Sequence, residues 1–254
     1  MNVLSKIEPL LMQAQKPAQY IGGEMGSVVK NREDVDVRFA FCFPDTYEIG
    51  MSHLGMKILY SLINARENFW CERAFAPCTD FEALMRQNEI PLYALESLDA
   101  VRDFDFVGFT LQYELSFTNI LNMLDLAGIP LRACDRGETL APLVAAGGPC
   151  VCNPEPLADF FDLFILGEGE EVNLELMDLY LEMKRRGASR SEFLRAASRI
   201  EGIYVPSLYE VTYHADGTVS AITPKDGAPE KVVKRVIRDM DQAFYPETFV
   251  VPFV

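Results

Sequence analysis

The feature that most constrains this chain is an alternation. Short apolar segments rich in β-branched and aromatic residues recur along it, separated by stretches long enough for a helix. Five segments read as strands, at 36–44, 69–76, 105–111, 143–147 and 162–167. The first belongs to the run VDVRFAFCFP, nearly continuous in apolar residues and closed by a proline. Such runs fit strands buried on both faces, the condition of a parallel sheet covered by helices. Strands alternating with helical segments build βαβ units. The expected fold is α/β: a Rossmann-like or flavodoxin-like, doubly wound, five-stranded parallel sheet in the order 2-1-3-4-5.

The intervening segments carry helix signals. KILYSLINA at 57–65 places Ile58, Leu59, Leu62 and Ile63 at helical spacing. Asp80 stands where an N-cap is expected for a helix running to Arg86. Phe117–Ala127 is followed by Gly128 and Pro130, both stop signals. A long helix is expected from Glu171 to Arg186, with Gly187 after it and a basic last turn that suits the helix dipole. Flanking this core, residues 1–20 read as a helix ended by Pro17, 21–34 as a linker or short hairpin, and 45–55 as a loop. Ser191–Ile200 reads as a short helix. Leu208–His214 and Thr218–Thr223 flank Asp216-Gly217, a strong hairpin signal. The expected division is 1–35 as leading helix and linker, 36–200 as the α/β domain, and 201–254 as hairpin extension and linker. The apolar, proline-containing end FYPETFVVPFV reads as a cut in a longer chain, because exposed Phe and Val invite aggregation.

Charge and cysteine usage narrow the function classes. With 23 basic and 38 acidic residues, the net charge is −15. A surface of that sign argues against broad non-specific binding of nucleic acid or anionic membrane. No run approaches the about 20 apolar residues that span a bilayer, and no secretory signal opens the chain. A cytoplasmic location with reduced thiols is therefore expected. Of six cysteines, Cys150 and Cys152 form C-x-C, with no second close pair to complete a four-ligand metal site.

In doubly wound sheets, ligands sit beyond the carboxyl ends of the strands. Four loops qualify. The first supplies Tyr47, Glu48, Ser52 and His53 as candidates, and the third-strand loop supplies Tyr113 and Glu114. The fourth-strand loop supplies Gly147, Gly148 and Pro149, where glycine permits close backbone approach to a ligand. The fifth supplies Gly167, Glu168 and Gly169, opening the longest helix. The acids there suit a helix N-terminus and argue against a phosphate site. No GxGxxG follows the first strand, and there is no Walker loop.

Together these loops resemble the N-terminal, cobalamin-binding-type domain of radical SAM proteins, and more closely an uncharacterised bacterial group with that domain order. The matching pieces are PDTYEIGMSHLGMKILYSLIN at 44–64, FVGFTLQYE at 106–114, GGP at 147–149 with PEPLADFFD at 154–162, and FILGEGEE at 164–171. The resemblance implies a Rossmann-like domain that presents a corrinoid, or an empty equivalent pocket, to a downstream barrel. That barrel would bind S-adenosylmethionine on a 4Fe–4S cluster held by C-x-x-x-C-x-x-C, a spacing absent from this chain. The implied partners are the chain's own downstream radical SAM domain and an unidentified substrate.

One departure matters. Corrinoid domains with a cobalt-ligating histidine carry D-x-H-x-x-G after the first strand. Here Met51-Ser52-His53-Leu54-Gly55 lacks the Asp and has its Gly one residue closer. His53 then has no carboxylate to orient it as a ligand, and is expected to bond backbone at a helix start. Relatives that bind cobalamin without a histidine keep corrinoid binding open. The alternative is a degenerate domain that positions a substrate or docks the barrel.

Overall fold

The computed structural model describes residues 2–252; Met1 and the last two residues of the apolar tail, Phe253 and Val254, lie outside them. Five parallel strands form the core: β1 (Val37–Phe43), β2 (Phe69–Phe75), β3 (Phe106–Thr110), β4 (Leu143–Gly147) and β5 (Leu163–Ile165). Their order is 2-1-3-4-5, as expected. A sixth strand, β6 (Ile203–Tyr204), lies antiparallel on β5. Two residues carry too little pattern to show periodicity, so this edge had no sequence signal. Every residue of β1, β2 and β3 is buried.

Seven α-helices surround the sheet among the described residues: α1 (Leu4–Ile7), α2 (Tyr47–Ser52), α3 (Leu54–Asn64), α4 (Thr79–Gln87), α5 (Phe117–Ala127), α6 (Gly169–Arg185) and α7 (Arg190–Ala197). Right-handed crossovers turn in opposite senses either side of β1, which sends α3 to one face and α4 and α5 to the other. Arg86 of α4 ties to Asp125 and Asn122 of α5 across that second face. On the first face, α6 packs beside α3, and Tyr180 of α6 and Phe193 of α7 meet Phe106 of β3. Gly128 ends α5 at φ +70, the left-handed turn expected of it.

Several local expectations need correction. The leading segment is one turn of α-helix followed by 3-10 turns at Glu8–Gln13 and Pro17–Tyr20. Pro9 cannot donate to an α-helical ladder, so the helix cannot extend through it. Residues 21–34 take the linker alternative, with a 3-10 turn at Arg32–Asp34 and no hairpin. The 45–55 loop contains α2 and the start of α3. Helix α4 begins at Thr79, and Cys78 occupies its N-cap position. Asp80 instead accepts a bond from the Gln15 backbone N–H at 2.8 Å, fastening the leading segment. Beyond the core, β7 (Tyr209–Tyr213) and β8 (Val219–Pro224) form the expected hairpin, with Gly217 at φ +84 in its turn.

Strand β2 buries charge on both sides. Arg38 of β1 pairs with Glu72 and Asp99, its guanidinium lying over Trp70 and Phe104. Arg73, 1% exposed, pairs with Glu96 and Glu24. A third buried cluster sets Arg136 and Arg190 on Asp162 at the entry to β5, which also accepts the Val144 backbone N–H.

Candidate functional site

The strands β1 and β3 lie side by side, yet their following connections run to opposite faces. At this switch point the carboxyl ends part and leave a crevice. The crevice deepens into a cavity of about 300 Å³ between the sheet and helices α3 and α6. Phe39 and Phe41 of β1 and Ile58 and Leu59 of α3 line its apolar part. That volume lies at the lower end of the range for small-molecule sites, about 300–1,000 Å³.

Glycine shapes this space at two positions with different demands. At Gly147 the backbone is ordinary, and an added Cβ would meet only Ile165 atoms at 3.9 Å. A side chain there would extend into the cavity without disturbing the fold. At Gly148 φ is +101, and a Cβ would stand 2.9 Å from the Leu111 carbonyl oxygen. Gly148 is therefore held by backbone geometry.

The polar groups of the cavity are mostly spent. His53 caps α3: its Nδ1 accepts the Met56 backbone N–H at 3.1 Å. The proton of the neutral ring therefore sits on Nε2. Burial lowers the His53 pKa, against a hydrogen bond to Gln112 that raises it. Gln112 in turn donates to Thr110 Oγ1. Glu168 accepts the Ile237 backbone N–H with its carboxylate. Asn173 of α6 differs. It is 4% exposed and lines the cavity, and its Nδ2 donates to the Gly169 carbonyl at 2.7 Å. Because a carbonyl can only accept, that bond fixes which end of the amide is which. Its Oδ1 has no hydrogen-bond partner among the described residues.

The cavity brings together seven of the twelve residues anticipated from sequence: His53, Gly147, Gly148, Pro149, Gly167, Glu168 and Gly169. The other five lie elsewhere. Tyr47 donates to Glu24 at 2.7 Å and belongs to the Arg73 cluster, where burial and then Glu24 push its phenol up to about 12. Glu48 is exposed and pairs with Lys16. Ser52 donates to the Glu48 carbonyl within α2. Tyr113 is exposed, with its hydroxyl 3.4 Å from Asp45, and Glu114 is exposed at the start of a 3-10 turn. Sequence reasoning took every candidate from the strand-end loops. It missed Phe39, Phe41, Ile58, Leu59 and Asn173, which look like ordinary core and helix positions until the sheet is assembled. Only the helical spacing of Ile58 and Leu59, pointing them at the sheet, was a usable signal.

Gly167 has a structural task as well. With φ +98, its chain pairs in parallel with Arg235: Arg235 N–H donates to Leu166 O at 2.8 Å, and Glu168 N–H to Arg235 O at 3.0 Å. The Arg235 guanidinium reaches Glu171 and Glu175 on α6. From there the trailing segment runs past α6 and α3, and Val250 O accepts from Gly26 N–H at 2.9 Å.

Among the described residues no three His, Cys, Asp or Glu side chains gather where they could hold a metal ion. Cys42 and Cys71 are buried, and burial pushes both thiols up. No helix is long and apolar enough to cross a membrane.

An open parallel sheet with a crevice at its switch point defines the class: a doubly wound α/β domain of the kind that carries ligands at its strand ends. The profile of radical SAM proteins, N-terminal, matches residues 55–206, more than half of the chain. The chain belongs to that family, the N-terminal domain of radical SAM proteins. It is also 29% identical over 143 residues to the uncharacterised protein MJ0966 of Methanocaldococcus jannaschii. That match covers 55% of this chain and 26% of the relative, so the chain spans about a quarter of the relative's length. No solved structure matches significantly.

Proposed function

We propose that this chain is the ligand-binding module of a radical SAM protein, holding a corrinoid-type cofactor or a substrate at the carboxyl ends of its strands. S-adenosylmethionine and a 4Fe–4S cluster would belong to the downstream part of the protein. The observation that carries the reading is the position of the cavity, at the switch point and walled by glycine and apolar side chains. The fit to cobalamin is divided. Gly147 leaves open a slot that a side chain would fill, and the cavity has room for a ring the size of a nucleotide base. A corrin macrocycle exceeds it and would lie above the strand ends. His53 does not fit as a cobalt ligand: its Nδ1 is spent on Met56 and its Nε2 carries the proton. When bound, cobalamin supplies methyl-transfer or one-electron cobalt chemistry, and this chain supplies position and exclusion of water.

Titration with hydroxocobalamin, followed in the visible spectrum, tests the reading. Binding is expected, and Gly147→Leu should abolish it while leaving thermal unfolding near that of the parent. Binding unaffected by Gly147→Leu would place the ligand elsewhere.

A second reading is favoured by the engaged state of His53. In it the domain keeps the fold but only docks the downstream barrel or presents a substrate. Full-length protein that neither co-purifies with a corrinoid nor takes one up would decide for this alternative.

A further inference from the structure

One amide in the cavity wall is used by the fold only in part. Asn173 is 4% exposed on α6, at the end of the cavity closed by the β5–α6 loop. Of its two N–H donors, one is bound to the Gly169 carbonyl. The remaining N–H and the Oδ1 acceptor have no partner among the described residues. Among the described residues the fully buried side-chain atom left without a hydrogen-bond partner is on Arg190, so Asn173 Oδ1 is open to the cavity, where a ligand can reach it. His53 is committed to Met56 and Gln112, Gln112 to Thr110, and one carboxylate oxygen of Glu168 to Ile237; Glu170 also lines the cavity, but its carboxylate can only accept. The side chain that can present a donor and an acceptor side by side to a ligand in this cavity is therefore Asn173.

The surroundings limit what it recognises. Phe39, Phe41, Ile58 and Leu59 offer apolar surface, and Gly147 leaves a slot bordered by Ile165, 3.9 Å from an added Cβ. A flat heteroaromatic ring suits such a slot. A carboxamide that presents an acceptor and a donor matches a ring edge presenting a donor beside an acceptor. Adenine has that edge, with its exocyclic amine next to a ring nitrogen, and Asn is a common partner for it. A dimethylbenzimidazole has no N–H donor once linked to ribose, and would leave Oδ1 unpaired in an apolar wall.

We infer that Asn173 makes the cavity selective for an adenine-type base over a benzimidazole-type base. The inference rests on the proposed binding function and names the ligand class of the same site. Selectivity of this kind is worth roughly tenfold or more in affinity.

The test is calorimetric titration of the chain with adenosine and with dimethylbenzimidazole riboside, alongside hydroxocobalamin. Adenosine is expected to bind at least about tenfold more tightly than the riboside. Asn173→Leu, of similar volume, should remove that preference. The ratio of the two affinities is the readout, since a fault in folding lowers both together and a lost amide lowers only adenosine. If the benzimidazole riboside binds as well as adenosine, or hydroxocobalamin binds while adenosine does not, the inference falls and the binding function stands. If none of the three binds, both fall.

Discussion

A Cβ placed on Gly167 would stand 2.0 Å from the carbonyl oxygen of Arg235. The two backbones touch because Gly167, at φ +98, turns the end of β5 so that the trailing segment can pair with it. The loop that walls the cavity thus also anchors the residues leading out of the domain.

Gly167→Ala should break that anchorage. The left-handed backbone alone strains an alanine by about 1–3 kcal/mol, and the overlap with Arg235 forces the two backbones apart. The expected result is faster limited proteolysis between residues 235 and 250, with the sheet core still resistant. Cleavage at the parent rate would show that Phe249, Val250 and their contacts hold the segment without Arg235.

His53 is expected to act on stability through its cap. His53→Ala should cost about 1 kcal/mol, and His53→Asn, a good N-cap residue, should recover most of it. The folded pKa lies below the ordinary 6.5, chiefly through burial. The unfolded chain therefore takes up the proton first, and the stability due to neutral His53 is present above pH 6.5 and declines as pH falls below it. Denaturant midpoints of parent and His53→Asn across pH 5 to 8 measure this: the parent should lose more on acidification.

Glu24 gives the opposite end of the scale. Burial alone would raise its carboxyl, but hydrogen bonds and charge from Arg73, with help from Tyr47, bring it down to about 2 from an ordinary 4.5. Its contribution is fully present above about pH 4.5 and is lost as pH falls towards about 2. Glu24→Gln should flatten the acid limb of the stability profile in that window. Arg73→Met should be worse, about 3–5 kcal/mol, because it strands the fully buried Glu96 as well. Urea melts at pH 7 distinguish the two variants.

Asp162 holds two buried guanidinium groups, with Arg136 at 3.1 Å and Arg190 at 2.9 Å. Asp162→Asn removes the charge that both need, and should cost about 3–5 kcal/mol. The exposed pair Arg132 and Asp159, 3.8 Å apart, offers the contrast: Asp159→Asn should change stability by less than about 1 kcal/mol. Guanidinium unfolding of both variants tests whether burial, and not pairing as such, sets the cost.

Much of the frame is legible in the sequence. Strands β1 to β5 fall within a residue or two of the expected spans, because each is a short apolar run bounded by breakers. Helix α5 matches Phe117–Ala127 at both ends, since Gly128 and Pro130 allow no other stop. The errors lie where local signals are weak or have competing uses. Asp80 has the right chemistry for a cap but is recruited by Gln15, 65 residues away. Arg235 sits in an alternating basic and apolar stretch whose pairing with Gly167 nothing local announces.

The candidate site shows the same boundary more sharply. The sequence by itself determined the parallel sheet, its order and the level at which a cavity would open, because hydrophobic period, turn chemistry and crossover handedness are local or topological rules. Only the tertiary structure decided which side chains enter that cavity. Tyr47 was drawn to Glu24 and Arg73, and Glu48 to Lys16, while Asn173 was carried in from a helix of no special pattern. Burial and pairing depend on what arrives from distant parts of the chain, and that information exists only once the chain has folded.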